Sequence, residues 1–506
     1  MPAPNENETR KKFNILKKYY DETWDENEHT LHIGIFEKDS DQLSDAYRNS
    51  TNLLIQGTNQ LAPINDKSIV LDVCCGVGRT IIKICEQYNC HGVGIDLSDE
   101  QIKDARAYLE KLNSERSGAG LPKVQVKFVR GSASDLDKYF KKDAYFTHII
   151  SQDGILLVED KISLFKNISR LLAPRGVLAI SDWTFEITPE QLSEHERNLL
   201  AKLVNWRNGF SNSKYQEIIT SVGLKLVRTA ERNDDMAKTY EKLVEKIIPY
   251  ENQDKVYSDL KDRYLNVVSA VKDKKMGWTF FFAEKPPRPI ALLAGTKEKS
   301  ISRYLAGALH KMGWEVWLYS RSAKRVDRLF WHERKCDLSK ERDISKLFDN
   351  FSNLNLVMML AESEAHGFLE ELDENKIKNF IDSKLTGSAL LLKSILKKSL
   401  KEKIKVVWCG GKLTKKPKDL MLYSMINSGL AAFVGELNDH YKDRLEAYYL
   451  PTPIISPSTI GDDYIQKVRL DLQSVAIHPK FILDNVIKII EDNIEPGLIE
   501  VKEKTI

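Results

Sequence analysis

Residues 68–80, SIVLDVCCGVGRT, decide how the first half of this chain folds. They read as an apolar strand ending on an acid, a glycine turn, and the start of a helix, TIIKICEQY, whose apolar residues recur at helical spacing. A loop that lets a ligand approach the backbone needs residues without a β-carbon, and Gly76 and Gly78 supply them. A second acid, Asp96, closes the next apolar segment, HGVGIDLS, 18 residues after Gly78. That is close to the ~20 residues expected for an acid that grips ribose hydroxyls. Ser98 then reads as a helix N-cap, with Gln101 as its reciprocal partner.

The order within the loop decides what it holds. A pyrophosphate binder presents GxGxxG and leaves the helix N-terminus to the phosphate. Here Asp72 comes first. An acid at the loop mouth repels phosphate and attracts an ammonium group, so the expected ligand is a cationic, phosphate-free nucleoside.

Outward from this loop, VQVKFVRGS (124–132), FTHIISQD (146–153) and GVLAISDW (176–183) read as strands alternating with amphipathic helices such as DEQIKDARAYLEKL. That alternation is the pattern of a parallel sheet covered on both faces. The charged, helical stretch at about 186–275 breaks the rhythm and reads as an inserted cap over the carboxyl ends of the strands. A second strand–turn–helix start appears at 289–313, PIALLAGTKEKSISRYLAGALHKMG, just after a proline cluster at Pro286, Pro287 and Pro289. Prolines stiffen a linker. The expected architecture is therefore α/β, with two Rossmann-like doubly wound parallel-sheet domains in tandem, 1–286 and 287–506, the first with a helical cap insertion.

Composition agrees with two or three domains in 506 residues. Lysine plus arginine number 76 against 73 acids, a net charge of +3, which argues against a dedicated nucleic-acid binder. No apolar run reaches 18 residues, so no membrane span is expected. The start MPAPNENETRKKF lacks the apolar core of a signal peptide, and a cytoplasmic protein is expected. Six cysteines form no CxxC pair, so neither a disulfide framework nor a metal site is expected.

The run Asp72-Val-Cys-Cys-Gly76-Val-Gly78 resembles motif I of class I S-adenosylmethionine-dependent methyltransferases, with Cys74 where the family has its first glycine. The resemblance spans about residues 10–285. YYDETWDENEHTLHIGIF (19–36), SQDGILL (151–157) and LLAPRGVLAISDWT (171–184) resemble small-molecule N-methyltransferases of the sarcosine/dimethylglycine type. It implies S-adenosylmethionine as cofactor and a small-molecule amine as substrate. It implies that Gly131 and Ser132 lie beside the adenine, and that Leu97, Ala133 and Ser151 join Asp72, Gly76, Gly78 and Asp96 in the cofactor site. Gln152 and Asp153 would line cofactor and acceptor, with Tyr20 and His32 closing over the methionine end. Leu157 stands in the region where many relatives carry a histidine. SQDG replaces the Asn-Pro-Pro-Tyr-like motif of enzymes acting on nucleic-acid bases or glutamine side chains, which favours a small metabolite.

Methyl transfer from a sulfonium is an in-line displacement, so positioning and water exclusion supply most of the acceleration. A carboxylate, tyrosine or histidine can take the amine proton, which makes Tyr20, His32 and Asp153 the catalytic candidates. Aromatic faces suit cationic groups, and Tyr19, Tyr20, Trp24, Trp183 and Trp206 are available. Each has a plainer reading beside it: packing for the aromatics, a hydrogen bond at a turn for His32, a helix cap for Asp153.

Residues 288–506 resemble short-chain dehydrogenases/reductases through ALLAGTKEKSIS, WEVWLYSRS, RKCDLS, NLNLVMMLAE and YSMINSGLAAF. Arg321 falls where that family meets the 2′-phosphate of NADP, and Asp337 where it contacts adenine. The catalytic positions differ: the tyrosine–lysine pair aligns with Tyr423 and Asn427, the serine with Gly410, and the asparagine with Lys384. The Asn-Ala-Gly stretch reads Leu360-Ala361-Glu362, and Lys299 and Ser300 stand where small residues belong. Apolar faces around 384–400 and 423–440 are either a homodimer interface or intramolecular core. Three readings follow: a methyltransferase fused to a reductase-like half without its usual catalysts, a bifunctional methylating and NADPH-dependent reducing enzyme, or a non-catalytic metabolite-binding scaffold.

Overall fold

A computed structural model describes residues 6–25, 30–188, 191, 193–194, 209–296, 300–328, 330–350, 354–360, 367–397, 403–411, 420–452 and 478–499. The chain divides into two compact units, Met1–Pro287 and Arg288–Ile506.

The first unit holds helices α1 (Glu6–Thr23), α2 (Leu43–Leu61), α3 (Arg79–Tyr88), α4 (Asp99–Gly118), α5 (Leu136–Tyr139), α6 (Lys161–Leu171), α7 (Asn212–Ser221), α8 (Asn233–Ile247) and α9 (Lys255–Lys272). Its strands are β1 (Ile69–Val73), β2 (His91–Asp96), β3 (Gln125–Arg130), β4 (Phe146–Gln152), β5 (Leu172–Phe185), β6 (Lys225–Glu231) and β7 (Met276–Glu284). They form one sheet in the order β3-β2-β1-β4-β5-β7-β6. β1 to β5 run parallel, and β7 lies antiparallel between β5 and β6. The central strands are apolar because helices cover both faces: β1 contributes Val70, Leu71 and Val73, all fully buried. The order places β1 and β4 side by side, and the crevice beyond their carboxyl ends is where this topology holds ligands.

The reading of 186–275 as one helical cap needs correction. β6 lies inside it, as an edge strand of the sheet. Its sequence, KLVRTAE, keeps most side chains exposed or only half-buried, so it lacks the apolar run that marked the inner strands. α8 and α9 pack together, and their aromatic side chains join the N-terminal region in one core with Trp24, Tyr47, Tyr240 and Tyr264. Trp24 Nε1 donates to Tyr264 Oη at 2.8 Å, and Trp183 meets Tyr240 edge-to-face at 5.7 Å. Burying such a side chain stabilises by roughly 1.5–3 kcal/mol, so Trp24 and Trp183 pack. Trp206 lies outside the described residues.

The irregular segment 30–36 carries buried backbone groups that need partners. Ile33 N donates to Asp153, Gly34 N to Thr239 Oγ1 at 3.1 Å, and Phe36 N to Asp235 Oδ1 at 2.8 Å. Helix α8 thus holds this segment in place, and among the described residues none of 209–275 lines the cleft below it.

The second unit holds an eight-stranded sheet. Its strands are β8 (Ile290–Ala294), β9 (Glu315–Ser320), β10 (Val326–Arg328), β11 (Trp331–Lys335), β12 (Leu356–Met359), β13 (Ile404–Gly411), β14 (Leu445–Thr452) and β15 (Gly497–Leu498). The order is β10-β11-β9-β8-β12-β13-β14-β15, parallel except for the β10–β11 pair. The helices are α10 (Ile301–Lys311), α11 (Glu341–Phe348), α12 (Glu374–Ile381), α13 (Gly387–Lys397), α14 (Met421–Tyr441) and α15 (Lys480–Ile490). No helix of the described residues is long and apolar enough to cross a membrane.

Candidate active site

An open cleft, about 1180 Å³ with the open solvent at its mouth included, lies at the carboxyl ends of β1, β2 and β4. Its floor is the turn after β1, where Cys74, Gly76 and Gly78 all take left-handed backbone, with φ of 60°, 53° and 73°. The two glycines serve different ends. A β-carbon on Gly78 would lie 2.4 Å from the Phe128 ring, so this glycine lets α3 sit close to β3. A β-carbon on Gly76 would meet only Gln101 Oε1, at 3.8 Å, so Gly76 leaves the backbone open toward the cleft.

Cys74 is accommodated by a second glycine. A β-carbon on Gly154 would lie 2.4 Å from Cys74 Cβ, so the space lost at 74 is returned at 154. Gly154→Ala is expected to destabilise by about 1–3 kcal/mol through overpacking. Adding Cys74→Gly should restore most of that loss. A thermal melt of the single and double variants checks the pair.

Asp72, at the end of β1, is buried. Its burial raises the carboxyl above the ordinary range, and the Asp96 charge raises it further. Asp96, at the end of β2, is also raised by burial, and backbone N–H groups oppose the shift. Its Oδ2 accepts from Gly76 N and its Oδ1 from Ser98 N, both at 2.9 Å. Each oxygen keeps a lone pair for a further donor. The capping box at Ser98 forms only in part. Ser98 Oγ accepts from Gln101 N at 3.3 Å, but the Ser98 N–H goes to Asp96. Gln101 Oε1 is left buried without a protein partner among the described residues, on the cleft wall.

Asp153 follows β4 in a left-handed conformation, φ 56°. Its Oδ1 accepts from Ser181 Oγ and Trp278 Nε1, and its Oδ2 from Ile33 N, each at 2.7 Å. Burial pushes its pKa up to about 6 against the pull of these three donors. Asp153 caps no helix; it ties segment 30–33 to β4 and β7. His32 Nε2 lies 3.2 Å from Thr51 Oγ1 and its Nδ1 3.4 Å from the Ile33 carbonyl. Burial lowers its pKa to about 4, so the ring is neutral at pH 7. Gln152 Oε1 accepts from Thr80 Oγ1 at 3.1 Å, and its Nε2 donates to Ser50 Oγ at 3.0 Å.

Of the residues expected from the sequence, the cleft brings together Asp72, Gly76, Asp96, Leu97 and Gly131, and with them Ser132, Ala133, Gln152, Asp153 and His32. Three do not line it. Gly78 serves helix packing. Ser151 turns its hydroxyl to the Val73 carbonyl at 2.6 Å, inside the sheet. Tyr20 packs among the core aromatics, where burial pushes its pKa up to about 12.

Other residues were not singled out from the sequence. Thr80 and Cys75 line the cleft, and Lys161 stands behind its wall. Lys161 is 2% exposed and donates to the Leu156 and Val158 carbonyls at 3.0 and 2.9 Å. Burial lowers its pKa to about 8 and the Asp182 charge opposes the shift. Tyr215 Oη donates to Asp182 Oδ2. The signal for Lys161 was legible: it shares the helical stripe of Leu164, Phe165 and Ile168.

In the second unit, Gly295 is left-handed at φ 101° and Arg321 is exposed at the end of β9. Asp337 Oδ1 accepts from Ser339 N and Oγ at 3.1 and 2.8 Å, which makes it a turn residue. Lys384 is buried in a π-helical turn, Asp382–Thr386, and Asn427 is buried on α14. A β-carbon on Gly410 would come within 2.7 Å of Asn427 Oδ1. The Tyr423 ring packs 4.4 Å from Phe380. Lys299, Ala361 and Glu362 lie outside the described residues.

Residues 64–242 match the family model described as a methyltransferase domain. Most of the first unit is thus similar to a methyltransferase domain. Among its relatives, an O-methyltransferase (resE) of Aspergillus sclerotiorum is 23% identical over 220 residues, which cover 43% of this chain and 75% of that protein. Phosphoethanolamine N-methyltransferase 1 of Zea mays is 30% identical over 226 residues, 43% of this chain. The match takes in only 41% of the maize enzyme's length. A solved structure, a putative sarcosine dimethylglycine methyltransferase from Galdieria sulphuraria, is 21% identical. It covers 54% of this chain and 98% of that one at a TM-score of 0.47.

Proposed function

We propose that this chain methylates a small amine, with S-adenosylmethionine held in the cleft of its first unit. The observation that carries the reading is the pair of acids, buried Asp72 and half-buried Asp96, at the ends of adjacent strands on either side of a left-handed loop. Two desolvated carboxylates this close favour a cation between or beside them. The open backbone at Gly76 and the unpartnered Gln101 Oε1 fit a nucleoside that brings its own hydrogen-bond donors. When bound, S-adenosylmethionine supplies an electrophilic methyl group: the acceptor's lone pair forms the new bond to carbon while the carbon–sulfur pair returns to sulfur.

The chain's own residues do the rest. Asp72 faces the ammonium group and Asp96 accepts from the ribose hydroxyls. Leu97, Gly131, Ser132 and Ala133 flank the adenine, and Gln152 fixes the floor between α2, α3 and β4. Asp153 takes the proton that an amine must lose before its lone pair is free. Neutral His32 shapes the same end by hydrogen bonding, and Tyr20 stiffens the cover from behind.

The second unit is proposed as a short-chain-dehydrogenase-like domain without hydride transfer by that family's route. Asn427 and Gly410 at the tyrosine–lysine and serine positions support this, and an NADP site rests on Arg321 alone. Met421, Met425 and Phe433 are exposed on one side of α14, so a second copy of the chain is its proposed partner. Light scattering that reads one chain per particle at micromolar concentration would overturn that pairing.

Calorimetric titration with S-adenosylmethionine and, separately, NADPH tests the whole reading. Micromolar binding of the first and no turnover of the second is expected. Substrate-dependent oxidation of NADPH would favour the bifunctional enzyme, and failure to bind S-adenosylmethionine would favour the scaffold.

A further inference from the structure

The two ends of the cleft differ in whether a lysine or arginine among the described residues lines them. The bond from Ile33 N to Asp153 Oδ2 brings the segment before it against the turn after β4. The end they form is lined by Leu31, His32, Asp153, Gly154, Leu157 and Val158. Among the described lining residues the one lysine or arginine is Arg79. It belongs to the cofactor side: it opens α3 directly after the glycine loop, and its guanidinium lies 3.1 Å over the Tyr108 ring of α4. Lys161 is close but stands behind the wall, its ammonium turned to the Leu156 and Val158 carbonyls.

We propose that the acceptor is an apolar amine carrying neither phosphate nor carboxylate. This rests on the methyltransferase reading and names its substrate class. A phosphate or carboxylate entering this end would lose hydration beside Asp153 and would meet no lysine or arginine among the described residues that line it. An apolar group instead covers Leu31, Leu157 and Val158 and releases the water on them. The amine head keeps its attraction to Asp153. Leu157 is the deciding position, because a basic or hydrogen-bonding side chain there would offer an anion a partner.

The test uses the full chain saturated with S-adenosylhomocysteine, so that acceptor binding is read directly by calorimetry. Phenethylamine is the apolar probe; phosphoethanolamine and glycine are the anionic ones. Phenethylamine is expected to bind at least tenfold more tightly than either, and to be methylated when S-adenosylmethionine replaces the product. Leu157→Arg should keep S-adenosylhomocysteine binding and shift the preference at least tenfold toward phosphoethanolamine. Equal or tighter binding of phosphoethanolamine or glycine by the unaltered chain would overturn the proposal while leaving the methyltransferase reading intact. If S-adenosylhomocysteine itself fails to bind, the underlying reading falls and the acceptor class with it.

Discussion

Asp96→Ala is expected to weaken S-adenosylmethionine binding by at least about 100-fold. Hydrogen bonds to a charged group contribute roughly 1.5–3 kcal/mol each, and a tenfold change in affinity is about 1.4 kcal/mol. Losing the ribose contacts alone reaches that figure. The substitution also frees Gly76 N and Ser98 N, which Asp96 holds at 2.9 Å, so the loop loses its anchor along with the ligand. Asp99→Ala is the matched control. Asp99 is an exposed acid in the same turn whose carboxylate pairs with Arg130 at 3.1 Å, and its removal should change affinity by less than about threefold, as expected for a surface pair. Titration calorimetry decides. An Asp96→Ala protein that binds as well as its Asp99→Ala counterpart would remove Asp96 from the cofactor site.

Asp153→Asn is expected to lower kcat by about 10²–10⁴-fold, the usual worth of a positioned proton acceptor. Ser181 Oγ, Trp278 Nε1 and Ile33 N all donate to this carboxylate. An amide nitrogen would set donor against donor on one side, so stability should fall as well. The pH profile separates the two roles. With its pKa raised to about 6, Asp153 is ionised at pH 7, and the rate should fall as pH drops through about 6. The variant should lack that limb. Stability runs the other way. The folded pKa lies above the unfolded value of about 3.9, so the folded state holds the proton more tightly. This contribution to stability is complete below about pH 4 and is lost as pH rises through about 6. A carboxylate with a purely structural role would lower the melting temperature in the variant and leave the acid limb of kcat unchanged.

Much of the first unit was legible because its signals are local. The strand ending in Asp72, the loop glycines and the spacing to Asp96 all lie within 30 residues, and the structure keeps them together. Less legible are features that depend on partners far along the chain. The resemblance implies that Tyr20 closes over the ligand, and the structure packs it against the aromatic core; a half-polar aromatic on an amphipathic helix looks the same in sequence in either place. β6 was hidden because an exposed edge strand has no apolar run. The box at Ser98 was half formed because Asp96, two residues back, outcompeted the Gln101 side chain for the Ser98 N–H.

By itself, the sequence determined the order of strands and helices around the first glycine loop, the acid-first logic that disfavours pyrophosphate, and the break between units near Pro287. These follow from periodicity, backbone freedom and charge, which act over a few residues. Only the tertiary structure decided that Gly154 makes room for Cys74, that Asp153 is held by donors from three separate segments, and that Lys161 turns away from the cleft it borders. These contacts join residues 3 to 125 positions apart, and their steric fit and hydrogen-bond satisfaction exist only once the chain has packed.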